Sequence, residues 1–479
     1  MATPHNQLNN FLGVLGGSLW PFTVKSFDRK LRLGPAKDAK IFERRPVGEP
    51  SPIIYIGNMR NILQMRALRY VFAANMISML GSGMNSAAVA WYILQATHSE
   101  VALGTFAVLQ TLPAMLMLPF TGVLIDREDR RRLVMMLDAI RAIIILTVSI
   151  LAFAGRVKVW ELYLMNTLVA AGFWMFWPTI TALIQELTPG EEFVHANTFL
   201  LAGIQGGWLI AGSIVGFVYN HIGLGGVLLI DFSTYLASFL LYLGVRKGRH
   251  VVPRPAELHA DLVAAESAFE RFVREMREGI DFLRTHRSVV NLGISWSLFL
   301  GAMMTGVVVT APLSDSVFHA GAVGYGWLNA GWGTGAFFSA LYAPQLIAAL
   351  GSRRSIAISM GFLAISMIVA PLSPWLALAV AIYGIMGSGR GVSGVAMNTS
   401  IMEQVPKHFM GRVQNTFYFA GTFLQIVLAF LVGAVAQWNL VAGFSIIGMV
   451  YAVAFVSAVW PVGAAAPVPE ASAAKELSN

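Results

Sequence analysis

Apolar residues in this chain gather into long runs separated by short polar or charged stretches. The runs fall at about 68–95, 101–124, 133–154, 159–184, 194–219, 225–245, 289–313, 322–349, 354–371, 375–402, 410–435 and 439–460. Each is close to the roughly 20 mostly apolar residues that a helix needs to cross a hydrocarbon core. The pattern therefore predicts an all-α membrane protein with twelve spans, and an even number returns both termini to one side. One connection, 246–288, is longer than the rest. Within it Leu258, Leu262, Phe269, Phe272, Val273, Met276, Ile280 and Leu283 recur at helical spacing, with Glu266, Arg271, Arg274, Glu275, Arg277 and Glu278 elsewhere. That pattern predicts an amphipathic helix lying along the membrane surface and tying two groups of six spans together. The expected organisation is an extension at 1–65, a bundle at 66–245, the linker at 246–288, a second bundle at 289–460 and a tail at 461–479.

The two groups carry related punctuation. Glu186 and Pro189 precede Asn197-Thr198-Phe199, and Glu403 and Pro406 precede Asn415-Thr416-Phe417. From Glu186 to Glu403 is 217 positions, from Asn197 to Asn415 is 218, and from Arg131 to Arg354 is 223. Several features at nearly one offset predict a duplicated, parallel repeat.

Composition agrees with a bilayer. The chain is 56% hydrophobic and only 12% charged, with mean hydropathy +0.65, where soluble domains carry roughly 25% charged residues. Its formal net charge of +8 would suit nucleic acid if the basic residues formed a patch. They fall instead in short connections, so nucleic acid is not an expected partner, whereas membrane lipids are. Arg127, Arg130, Arg131, Arg132, Arg246, Lys247, Arg249, Arg254, Arg353, Arg354, Lys407 and Arg412 lie in the even-numbered connections, against Arg156 and Lys158 in the odd ones. The positive-inside rule then places the even connections and both termini in the cytoplasm. The absence of cysteine excludes thiolate metal sites and cysteine nucleophiles. No catalytic dyad, metal-ligand cluster or phosphate-binding glycine loop stands out, so neither an enzyme nor a cofactor is expected.

Between the second and third spans the chain reads Gly122-Val-Leu-Ile-Asp126-Arg127-Glu-Asp-Arg130-Arg131-Arg132. A short loop of this kind packs two helices as a tight antiparallel pair, with Gly122 allowing close approach and Asp126 free to pair with an arginine or cap a helix. The segment resembles the signature loop of the major facilitator superfamily. Thr97-His-Ser99-Glu-Val-Ala-Leu-Gly104, Pro113, Asp138 with Arg141, Pro178, Ala196-Asn197 and Ile230-Asp231 are similar in order to bacterial exporters of the macrolide-efflux and enterobactin-exporter group. The resemblance covers about residues 65–460. It implies twelve transmembrane helices in two pseudo-symmetric six-helix bundles, alternating access, and an ion gradient, usually of protons, as the driving force. Gly122, Asp126, Arg127, Arg130, Arg131, Asp138 and Arg141 are then candidates for a conformational latch.

Ionisable groups inside spans are costly and so mark function by default. Arg390, in Gly387-Ser-Gly-Arg390-Gly, falls near the middle of the tenth span and is a candidate to hold an anionic group or partner a carboxylate. Asp231, about one turn into the sixth span, and Glu161, at the start of the fourth, are further substrate or coupling candidates. Asn166, Gln205, Trp174 and Asn398 are neutral candidates for a cavity lining. The expected activity is proton-linked efflux of a small amphipathic molecule such as a drug, siderophore or metabolite, through the bacterial inner membrane. A lipid or lysophospholipid mover is the alternative, and a membrane receptor or enzyme a more distant one.

Overall fold

A computed structural model of the chain describes residues 65–127, 129–188, 193–245, 268–406 and 409–460, with the side chains of 118–127, of several positions between 193 and 209, and of 268, 269, 271, 340 and 341 outside that description. The expected extension at 1–65 apart from Met65, the start of the linker and the tail at 461–479 lie outside the described residues. The helices are α1 (Arg66–Thr97), α2 (Glu100–Arg127), α3 (Arg130–Phe153), α4 (Val159–Leu187), α5 (Phe193–Leu243), α6 (Ala268–Thr285), α7 (Arg287–Thr305), α8 (Val307–Pro312), α9 (Gly321–Leu350), α10 (Ser352–Val369), α11 (Leu376–Gln404), α12 (Met410–Ala436) and α13 (Leu440–Val459).

Among the described residues nine helices are long and apolar enough to cross a membrane, ten when Gly321–Ser339 and Tyr342–Leu350 are taken as one broken span. Two features account for the difference from twelve. α5 is broken at Gly223, whose φ of 64° and ψ of −172° suit a residue without Cβ, so its two arms are the fifth and sixth spans. α1 is 32 residues long and packs along both arms of α5 as the first span. α7, α8 and a π-turn at Leu313–Val317 together make the seventh.

The packing repeats. In the first half α1 lies on α5, α2 on α4, and α3 on the second arm of α5, where Ser149 Oγ donates to the Gly225 carbonyl at 2.8 Å. In the second half α7 lies on α12, α9 on α11, and α10 on α13. These are the same three pairings of span one with five, two with four and three with six. Among the described residues only His98 (φ 48°) and His319 (φ 49°) place a non-glycine in the left-handed region, and each follows the first span of its half. Arg131 and Arg353 match as well. Arg131 donates from Nε to the Tyr242 carbonyl at 2.8 Å and from Nη2 to Leu243 at 3.0 Å, while Arg353 donates from Nε to Ala458 at 2.8 Å and from Nη2 to Val459 at 3.1 Å. Each arginine caps the free carbonyls ending the last helix of its half. The structural counterpart of Arg131 is therefore Arg353 rather than Arg354, because only the former reaches those carbonyls.

Small residues set the closest helix approaches. A Cβ on Gly335 would stand 1.8 Å from the Gly384 carbonyl oxygen and one on Gly387 1.8 Å from that of Trp332, so α9 and α11 meet backbone to backbone. Contacts between the halves use the same device. A Cβ on Gly104 of α2 would meet the Ala429 carbonyl of α12 at 2.4 Å, and one on Gly216 of α5 would meet the Ala322 carbonyl of α9 at 2.3 Å. Both contacts lie at the end remote from Arg130–Arg132, Arg353 and Arg354. Gly212 and Gly216, part of a glycine series in the fifth span, thus serve the seam between halves, with Gly212 facing Asn329.

The core follows that asymmetry. One apolar cluster runs without a break from Met84, Trp91 and Phe106 in the first half to Phe299, Tyr325 and Phe444 in the second. A separate cluster of Leu68, Phe72, Leu133, Leu137, Phe176 and Ile184 fills the arginine-rich end of the first half alone. α6 docks on the start of α12, where Arg412 Nη1 meets Glu278 at 2.7 Å and Phe282 stacks on Phe409 with centroids 4.9 Å apart. Phe282 and Leu283 of its apolar side are used in packing, whereas Val273 and Ile280 stay exposed.

Candidate functional site

Between the two core clusters of the first half lies a layer of polar and charged side chains. α3 brings Asp138 and Arg141, three residues apart and so on one helix face. The second arm of α5 brings Asp231, Thr234, Tyr235 and Ser238 at helical spacing, and α1 brings Ser82 and Asn85. Arg141 Nη2 lies 2.5 Å from Asp138 Oδ1, Arg141 Nη1 donates to the Tyr235 hydroxyl at 3.3 Å, and Nε donates to the Leu137 carbonyl at 3.2 Å. Ser238 Oγ donates to the other Asp138 oxygen at 2.6 Å. The guanidinium is sandwiched by the Phe176 ring at 4.7 Å and the Tyr235 ring at 4.5 Å. Asp231 accepts from Asn85 Nδ2 at 2.6 Å, and the Ser82 and Tyr235 hydroxyls are 2.8 Å apart. Asp138, Arg141 and Asp231 are all 0% exposed, so each contact acts in a low dielectric where pairing decides whether burial is tolerated.

Two glycines make room for this layer. A Cβ on Gly172 of α4 would meet Arg141 Cδ at 3.0 Å, and one on Gly81 of α1 would meet Asp231 Oδ1 at 2.5 Å. The layer contains two carboxylates and one guanidinium. Asp231 has no cation within ion-pair distance among the described residues.

Among the described residues the second half carries a single charge at comparable depth. Arg390 stands 14 residues from both Leu376 and Gln404, the ends of α11. Its Nε donates weakly to Met303 Sδ at 3.0 Å, and its guanidinium lies 4.7 Å from the centroid of the Trp332 ring. Among the described residues no carboxylate pairs with it.

Other expected residues divide by location. Arg130 pairs with Glu186 at 3.6 Å and donates to the Ala182 carbonyl at 3.3 Å, tying α3 to α4. Arg131 caps α5 as described, so it stands apart from the Asp138–Arg141 pair with which the loop sequence groups it. The N-cap of α3 is Asp129, which accepts from the Arg132 amide at 3.0 Å, instead of Asp126. Gly122, Asp126 and Arg127 close α2, and their side chains lie outside the described residues. The described partners of Arg130, Arg131, Asp138 and Arg141 all belong to the first half.

Asp231 sits eight residues past the Gly223 break, about two turns inside its span and deeper than expected, because the second arm starts directly after the break. Glu161 accepts from the Lys158 amide at 2.9 Å and caps α4. Asn166 donates to the Phe106 carbonyl at 3.4 Å, linking α4 to α2. Trp174 donates to the Gln110 carbonyl at 3.2 Å and meets the Tyr418 ring edge-on at 5.8 Å across the halves. Asn398 donates to the Gly394 carbonyl of its own helix at 3.1 Å, and the Gln205 side chain lies outside the described residues. Ser82, Tyr235 and Ser238 were not among the sequence candidates. For Tyr235 and Ser238 the signal is the polar stripe 231–234–235–238 in a largely apolar arm.

An all-helical two-bundle membrane protein with ionisable groups held inside its spans has the build of a carrier. The chain belongs to the Major Facilitator Superfamily, whose sequence profile matches residues 71–428. It is 22% identical over 234 residues to macrolide efflux protein A of Streptococcus pyogenes, covering 49% of this chain and 55% of that protein, so the match spans about half the length of that relative. To the multidrug efflux pump Tap of Mycolicibacterium fortuitum it is 23% identical over 74% of this chain and 85% of the pump. Among solved structures, a variant of the nucleoside transporter NupG aligns with a TM-score of 0.64 at 12% identity, covering 82% of this chain and 98% of the other. A POT family transporter aligns with a TM-score of 0.61 at 13% identity, covering 83% and 98%. Those two share the fold. The chain is thus a multi-pass membrane protein of that superfamily.

Proposed function

We propose that this transporter exports a small amphipathic molecule across the bacterial cytoplasmic membrane by alternating access, with protons moving the opposite way. The observation that carries the reading is the asymmetry of the core. One apolar cluster joins the halves at the end remote from the arginines, while a separate cluster fills the arginine-rich end of the first half. With the arginine-rich connections and both termini in the cytoplasm, that arrangement is closed to the outside, and rocking of one bundle on the other about the glycine seams would reverse it. Efflux is favoured by the two relatives that carry efflux in their names.

The polar layer of the first half supports proton linkage. It holds two carboxylates against one guanidinium, so a single proton brings the layer to neutrality, and an uncompensated charge at 0% exposure is otherwise expensive. Asp231, which lacks a cation partner among the described residues, is the carboxylate that takes it.

Purified protein in liposomes tests both parts. Uphill accumulation of a fluorescent amphipathic probe is expected with an imposed pH gradient and not without one. Asp231→Asn should abolish uphill accumulation while leaving probe exchange down its own gradient. Accumulation at equal pH on both sides would remove proton linkage, and movement of lysophospholipid alone would replace efflux by lipid transfer.

A further inference from the structure

We propose that Arg390 binds an anionic group of the transported molecule, which makes that molecule an amphipathic anion; this rests on the transporter reading above. Two described arginines lie deep within spans, and their surroundings differ. Arg141 has a carboxylate at 2.5 Å, a hydroxyl, a backbone carbonyl and two ring faces. Arg390 has the Trp332 face, the Met303 sulfur and the Tyr451 hydroxyl within electrostatic reach, and no described carboxylate. None of these three neighbours carries a compensating charge. The Nη1 and Nη2 groups of Arg390 have no protein acceptor among the described residues.

Position excludes the common escape for such a residue. At about 1.5 Å rise per residue, 14 residues put either end of α11 about 21 Å away, beyond the reach of any side chain toward the interface. The local sequence holds the group where it is. Gly387 and Gly391 press α11 onto α9, against the Trp332 carbonyl and the Ser339 side chain, and Gly389 faces Ser359 and Leu363 of α10. In this segment of small residues Arg390 is the one long side chain, and it is only partly buried, which leaves its open edge accessible to a ligand.

A planar guanidinium with a free edge presents a fork that matches carboxylate, phosphate or sulfonate oxygens bidentately. Trp332 and Met303 beside it supply a polarisable apolar wall suited to the body of the same molecule. An anion held there neutralises the charge, so binding and relief of the buried charge are one event.

Binding of two probes with the same tail and opposite heads, dodecyl phosphate and dodecyltrimethylammonium, tests this on purified protein in neutral detergent by quenching of intrinsic tryptophan fluorescence. Saturable binding of dodecyl phosphate is expected, weakened about tenfold or more by Arg390→Gln and less by Arg390→Lys, which retains charge but loses the fork. Binding of dodecyltrimethylammonium should be weak and unaffected. Tighter binding of lauroyl lysophosphatidylglycerol than of dodecyl phosphate would assign the anion to a lipid headgroup, and the reverse to a free amphiphile. Equal binding of both heads, or dodecyl phosphate binding unchanged in both variants, overturns the proposal. The readout is binding alone, so loss of head-group selectivity removes the Arg390 site without touching proton-linked export, and failure of uphill accumulation in liposomes removes that export without touching the site.

Discussion

At the scale of single residues, the chain handles its two deep arginines in opposite ways. Arg141 is neutralised within its own half, and removing its counter-charge should be severe. Asp138→Asn leaves a guanidinium at 0% exposure without its carboxylate, an arrangement that typically costs about 3–5 kcal/mol. The denaturation midpoint in detergent should fall accordingly, and pairing the change with Arg141→Met should recover most of the loss. A single variant as stable as the parent would mean that the Asp138 charge is not what makes the burial of Arg141 tolerable. Asp138, Arg141, Asp231 and Arg390 were all legible in the sequence, because a charge in an apolar run is conspicuous. Which of them pair was not legible, since Asp138 and Ser238 are 100 positions apart and only helix packing brings them together.

At the scale of elements, the repeat is expressed in how helices end. Arg131 and Arg353 each satisfy terminal carbonyls on the last helix of their half, α5 and α13. Arg353→Ala should therefore destabilise the second half by roughly the value of charge-assisted hydrogen bonds to a backbone acceptor, about 1.5–3 kcal/mol. Arg354→Ala, on an exposed neighbour, should be neutral. Thermal unfolding of the two variants side by side checks the assignment, and equal midpoints would reject it. The offset that pairs Arg131 with Arg354 is out by one residue. Sequence spacing locates a charged loop, but the direction each side chain takes from its helix selects the functional arginine. Break points behave similarly. The Gly223 turn is visible as a gap between two apolar runs, whereas the packing of both arms against α1 is not.

For the whole molecule, the end where the halves touch is open to direct test because the chain has no cysteine, so introduced pairs are clean. Ser99 Oγ and Gln437 Oε1 lie 3.4 Å apart across the halves. Cross-linking a Ser99→Cys, Gln437→Cys double variant should stop transport and reduction should restore it, since alternating access requires this end to part. Full transport by the cross-linked protein would end the rocking interpretation. The same seams explain why glycine is needed at Gly104 and Gly216. Carbonyls of the opposite half occupy the space a Cβ would fill, so any larger residue there would hold the halves apart.

The sequence by itself determined the all-helical, many-span class and the family. These follow from local properties, namely hydropathy over about 20 residues, helical periodicity and a short signature loop. Only the tertiary structure decided that Asp138 and Arg141 form a closed pair with Ser238 and Tyr235, that Asp231 turns to Asn85, and that Arg390 faces Trp332 without a carboxylate among the described residues. Each of those outcomes depends on which helix faces lie together. Helices in a bilayer are apolar on every side, so hydropathy does not encode which faces meet; small residues and buried hydrogen bonds settle it only when the bundle assembles.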